Sequence, residues 1–139
     1  MTSIIVVDFG MGNLRSVAKA FEHVAPKASV RISGDVNTIR SADRVVLPGQ
    51  GAIGGYVKAL HDTDIEPAVL EAARSKPFLG ICLGQQVLFE SSDEHGEDGD
   101  SVKTLGLFNG QVKHFTHVSS DPQAMIDPHT CLLYTSDAA

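Results

Sequence analysis

The chain has 139 residues, 42% of them apolar, and a net charge of −6 from 17 acidic and 11 basic side chains. That is enough for one domain with its own core and too little for two. No apolar run reaches the roughly 18 residues of a membrane span and no basic stretch precedes the first apolar run, so a cytoplasmic protein without a membrane partner is expected.

The acidic excess is local: residues 90–100 hold six acids and no Lys or Arg. Such a stretch reads as a solvated loop and argues against a nucleic-acid partner on that surface. Cys82 and Cys131 make neither a disulfide framework nor the clustered spacing of a zinc site, so a reducing compartment and no bound metal are expected.

In chain order, residues 4–7 are an unbroken apolar run of the kind that fills a strand buried on both faces. Asn13 is placed to cap a helix whose apolar face is Leu14, Val17, Ala18 and Phe21, and Pro26 closes it. Residues 30–33 read as a second strand, 35–40 as a short helix and 44–47 as a third strand. Pro67 suits the first turn of a helix running to about residue 74, and residues 78–81 are a fourth strand. The order βαβαβααβα is the pattern of a parallel sheet with crossover helices. Beyond it, Val87, Leu88 and Phe89 extend a helix towards residue 92. Asn109-Gly110 between strand-like flanks, over residues 105–115, signals an antiparallel hairpin. The expected class is α/β, a parallel sheet with flanking helices and an antiparallel addition.

The most telling segment is Phe78-Leu79-Gly80-Ile81-Cys82-Leu83-Gly84. An apolar strand ends on a cysteine with glycine two residues away on either side, the layout of a nucleophile elbow. There a strand turns abruptly into a helix, and the free N–H groups and dipole at the helix start favour a thiolate. Acyl transfer through a thioester is the chemistry this suggests. A free cysteine is more often a small buried residue, which is how Cys131 is read.

Ligands of open parallel sheets gather at the carboxyl ends of the strands, so residues 8–13, residues 48–51 and Cys82 should converge. Gly49-Gln50-Gly51 then becomes a candidate source of an oxyanion donor, with the N–H of Leu83 as the second, although such a loop taken alone is commonly just a turn. Gln86, one helical turn after Cys82, either reaches a substrate or sits in solvent. Gly10-Met11-Gly12 is no dinucleotide fingerprint, because Arg15 stands at the third glycine position. The thiol's base is harder to find. His95, in His95-Gly96-Glu97, would lie roughly 15 Å along a continued helix and reads as a coincidence in the acidic loop.

Gly80-Ile81-Cys82-Leu83-Gly84-Gln85-Gln86 resembles the nucleophile motif of the class I glutamine amidotransferases, whose fold is flavodoxin-like. Asp8-Phe9-Gly10-Met11-Gly12-Asn13-Leu14-Arg15-Ser16-Val17, Leu47-Pro48-Gly49-Gln50-Gly51 and Leu88-Phe89-Glu90-Ser91-Ser92 narrow the likeness to the glutaminase subunits of imidazole glycerol phosphate synthase. It runs from about residue 4 to about residue 122.

This resemblance implies that Cys82 attacks the side-chain amide of glutamine, that Gly51 and Leu83 hold the oxyanion, and that Gly49 and Gln86 help bind the substrate. It implies no cofactor. It also implies a partner, a (β/α)8-barrel cyclase that takes the ammonia in histidine biosynthesis and switches the glutaminase on through residues 48–51, with Met11, Gly12 and Asn13 near the interface. The family's later Pro-His-x-Gly and His-Pro-Glu segments, which carry base and orienting carboxylate, have no match here. Residues 1–124 therefore read as the N-terminal part of one domain, residues 125–139 as a non-native tail, and the chain by itself as inactive. A non-catalytic chain that docks on the cyclase, another class I amidotransferase, and a related thiol hydrolase with a different base all stay open.

Overall fold

The computed structural model describes residues 1–95 and 100–113. Cys131, His114, His117, His129 and the expected tail at 125–139 lie outside the described residues.

Four parallel strands form the main sheet: β1 (Ser3–Val7), β2 (Ser29–Ser33), β3 (Arg44–Gly49) and β4 (Phe78–Cys82), in the order β2-β1-β3-β4. Side chains alternate across the sheet, and the core divides accordingly. Ile4, Val6, Val46 and Ile81 pack with α1 (Leu14–Val24) on one face. Ile5, Val7, Val45 and Leu47 pack on the other against α2 (Val36–Ser41), α3 (Ile53–Asp62) and α4 (Glu66–Ser75). Burial on both faces explains why residues 4–7 and 45–47 are apolar without alternation.

The expected Asn13 cap forms, and Asp35, read only as the first residue of a short helix, turns out to cap α2. Asn13 Oδ1 accepts the Ser16 N–H at 3.4 Å. Asp35 Oδ1 accepts both the N–H and the hydroxyl of Thr38 at 2.7 Å, and Pro67 lies in the first turn of α4. With β2 and β3 on opposite sides of β1, the chain reverses its winding between β1 and β3, so the crevice of this doubly wound sheet lies above those two strands.

Three expectations need correction. First, β3 does not stop at Leu47: Pro48 and Gly49 stay in the sheet, opposite Ile81 and Cys82. The Val45 N–H donates to Pro77 on the β4 side, so by alternation the nitrogen of Pro48 faces β1. The pairing with β1 has already ended at Val46, and the missing donor costs nothing.

Second, the helix after the elbow, α5 (Leu83–Gln86), is one turn long rather than running to residue 92. The carbonyls of Val87, Leu88, Phe89 and Glu90 are taken by the N–H groups of Leu105, Phe108, Gly106 and Thr104.

Third, the acidic segment begins as strand β5 (Ser91–His95), with Ser92 buried, so His95 ends a strand and is not in a loop. β5 pairs antiparallel with β6 (Ser101–Lys103) and parallel with β7 (Gln111–Val112). The antiparallel pair is therefore there, but not at Asn109-Gly110. Gly110 makes a turn at φ +122°, and its N–H is held by Glu90 Oε2 at 2.8 Å. No described helix is long and apolar enough to cross a membrane.

Among the described residues the outer edge of β4 has no strand partner, and Leu79 on it is 47% exposed. Unpaired apolar edges template association. Leu79→Lys should reduce self-association in light scattering and leave the circular dichroism spectrum unchanged; undiminished scattering would clear this edge of the effect.

At the amino ends of the two central strands, Asp43 Oδ2 accepts the Ser3 N–H at 2.7 Å and the Ser3 hydroxyl at 2.9 Å. These bonds, the backbone one foremost, hold the Asp43 carboxyl below its ordinary 3.8. A carboxyl depressed in the folded state stabilises above its unfolded value and loses that contribution as pH falls through the folded one. The stability gap between wild type and Asp43→Ala should be full at pH 6 and close below pH about 4 in urea titrations. A gap independent of pH would contradict the assignment.

Candidate active site

Cys82 ends β4 and precedes α5 with φ 56° and ψ −118°. A non-glycine residue there carries strain of order 1–3 kcal/mol and persists only where its surroundings impose it. The flanking glycines are the imposing surroundings. A Cβ on Gly84 would overlap the Leu47 carbonyl oxygen and lie 2.7 Å from its carbon. One on Gly80 would overlap the Gly84 carbonyl oxygen and come within 2.8 Å of Gln85 Cα. The elbow thus closes only because neither position has a side chain. The thiol between them is free and half-buried.

The expected convergence occurs. Gly49 pairs with Cys82 across β3 and β4, and by the same alternation its N–H faces the elbow strand. Gly51, at φ +98°, sits beneath Met11, whose Cε would be 3.7 Å from a Cβ there. Gly12, at φ +104°, lies against the Pro48–Gly49 peptide, its Cβ position 3.7 Å from Gly49 N. Residues 8–13 and 48–51 therefore touch. Met11 and Gly12 are half-buried, and Asn13 is exposed, its side chain occupied in capping α1. Leu83, the first residue of α5, is buried, and half-buried Gln86 closes that turn. One turn of helix offers local N–H groups but little dipole, so any help to a thiolate comes from those amides.

Tyr56, on α3, belongs to this neighbourhood and the sequence reading passed over it. It is fully buried, donates its hydroxyl to the Pro48 carbonyl at 2.8 Å and presses its ring where a Gly49 Cβ would stand. Phe9, from the first loop, meets it edge-to-face at 4.8 Å. Burial, and after it the charge of the Cys82 thiolate, push the Tyr56 phenol well above its ordinary 10. A tyrosine in a glycine-rich helix start, eight residues after the proline of a Pro-Gly-x-Gly loop, was the available signal.

Of the described histidines, His61 at the end of α3 is engaged elsewhere, its Nδ1 2.6 Å from Glu66 Oε2. The Gly96-Glu97 half of the His95-Gly96-Glu97 segment lies outside the described residues.

A strained thiol at a strand-to-helix elbow, opposite a glycine loop at the carboxyl end of a parallel sheet, gives an α/β protein with the geometry of a nucleophile elbow. The family profile of Glutamine amidotransferase class-I matches residues 5–126, and the chain belongs to that family. It is 54% identical over 113 residues to an imidazole glycerol phosphate synthase subunit HisH from Nitrosomonas europaea, covering 81% of this chain and 51% of the relative. The subunit HisH from Nitrosospira multiformis is 50% identical over 115 residues, covering 83% and 52%. The chain thus spans about half the length of the curated relatives it matches. Among solved structures, a peptidase E protein from Listeria monocytogenes shares the fold with TM-score 0.58 at 15% identity, over 77% of this chain and 63% of that one.

Gly84→Ala should lose about 1–3 kcal/mol in thermal denaturation. Gly55→Ala, at an open position on α3 with nothing within 4 Å, should gain about 0.5–1 kcal/mol. Equal effects at the two sites would refute the close-approach account of the elbow.

Proposed function

We propose that the intact protein is the glutaminase subunit of an imidazole glycerol phosphate synthase. The observation that carries this is the glycine-locked, positive-φ Cys82 opposite Gly49, in a chain about half identical to subunits of that name. The thiolate of Cys82 adds to the side-chain amide carbon of glutamine. The N–H groups of Leu83 and of Gly51 take the oxyanion, and Gly49 and Gln86 line the substrate's place.

When the C–N bond breaks, the nitrogen leaves as ammonia with the proton that the base removed from the thiol. Water then cleaves the thioester to glutamate and restores Cys82. The family's Pro-His-x-Gly and His-Pro-Glu segments, which carry the base and its orienting carboxylate, have no match in this sequence, so the chain as it stands is read as inactive, with residues 1–124 as the N-terminal portion of its domain.

Ammonia is released where a partner can take it up. The name of the relatives supports a second subunit, and the first loop supplies a surface for one: Met11 lies against Gly51, Gly12 against the Pro48–Gly49 peptide, and Asn13 follows them exposed at the start of α1. We assign them to the contact with a (β/α)8-barrel cyclase, and place the pair, a hydrolase coupled to a lyase, in the cytoplasm.

Glutamine should slow carbamidomethylation of Cys82 by iodoacetamide, followed by peptide mass spectrometry, whereas asparagine at equal concentration should not. Cys82→Ser should leave no modified site in that peptide. Identical rates with and without glutamine would defeat the reading.

A further inference from the structure

We propose that Tyr56 is a positioning residue for the oxyanion loop: its buried hydroxyl on the Pro48 carbonyl and its ring beside Gly49 fix the direction in which the chain leaves β3. The inference rests on the glutaminase reading of Cys82. Pro48 and Gly49 share one peptide group, and the structure holds it on three sides. Tyr56 Oη donates to its oxygen at 2.8 Å. Gly12, in the first loop, backs its carbon and nitrogen, each 3.7 Å from the Gly12 Cβ position. On the third side, β4 pairs Gly49 with Cys82.

A peptide held at its oxygen cannot rotate without breaking a buried hydrogen bond, and a buried carbonyl left without a donor is costly. Residues 49–51 start from that peptide, so its plane sets where their N–H groups stand relative to the thiol. Gly49 is glycine for the same reason. Any Cβ there would overlap Tyr56 Cε2 and lie 2.8 Å from Cζ. Phe9 completes the device by bracing the Tyr56 ring at an interplanar angle of 87°, which joins the first loop to the oxyanion loop through one aromatic pair.

The test compares two alkylating probes on the intact protein, with its base-bearing segments in place. Iodoacetamide needs only the thiolate. A chloromethyl ketone analogue of L-glutamine also needs a bound substrate frame and donors for its carbonyl oxygen, and its D-enantiomer measures reaction without that frame. Rates at Cys82 are read by peptide mass spectrometry. Tyr56→Phe keeps the ring and removes the hydroxyl. It should slow the L-ketone about tenfold to a hundredfold while the iodoacetamide rate stays that of wild type.

Val69→Ala, a core truncation on α4 away from the loops, serves as the stability control. It should lower the melting temperature without changing the ratio of L-ketone to iodoacetamide rates. Wild-type discrimination between enantiomers that survives intact in Tyr56→Phe would overturn the proposal and leave the glutaminase reading standing. The same loss in Val69→Ala would reduce Tyr56 to a core residue and also overturn it. A wild-type chain that reacts equally with both enantiomers would remove the glutaminase reading and this proposal with it.

Discussion

The site depends on one close approach, that of Gly84 to the carbonyl group of Leu47. Without a side chain at Gly84 the first turn of α5 can lie directly on β3, and only then can β4 end as abruptly as it does at Cys82. Gly80 makes the reciprocal allowance beneath the Gly84 and Gln85 backbone. The strain at Cys82 is thus imposed from both sides by backbone contacts that no side-chain motion relieves. A thiol held this way pays its ordering cost during folding and none when a substrate arrives.

The sheet supplies the rest of the geometry. Because its winding reverses between β1 and β3, residues 8–13 and 48–51 leave the sheet side by side. Parallel register then sets Gly49 against Cys82. The contacts among Met11, Gly51, Gly12 and Gly49 follow from that placement. The buried aromatic pair of Phe9 and Tyr56 underlies both loops. The proposed nucleophile, donor loop and partner surface therefore share one support, in which the first loop touches the peptide opposite the thiol.

What could be read from the residues alone was what local spacing determines. Gly-x-Cys-x-Gly after an apolar strand announced the elbow because the pattern lies within five residues, although the contact that makes Gly84 necessary is with distant Leu47. Asn13 announced its helix because a cap acts over three residues. The meeting of the loops was legible from strand order, since an alternating βα chain leaves few places for the strand ends to go.

Distant partners decided what was misread. Pro48 looks like the end of a strand, and only the earlier end of the β1 ladder makes it harmless inside one. The apolar Val87, Leu88 and Phe89 look like helix, but their carbonyls are claimed by residues 105–108. Asn109-Gly110 does turn, while the antiparallel partner of β5 is β6. Tyr56 was passed over because its packing against Gly49 is tertiary and carries no periodic signature, its place eight residues after Pro48 being the one local sign.

The most direct measurement is a crystal structure of the chain after reaction with the L-glutamine chloromethyl ketone. The account predicts a covalent bond at Cys82 Sγ, a positive φ retained at Cys82, and the adduct oxygen between the N–H of Leu83 and the N–H groups of residues 49–51. An adduct whose oxygen points to solvent, or a Cys82 relaxed to ordinary strand geometry, would contradict it.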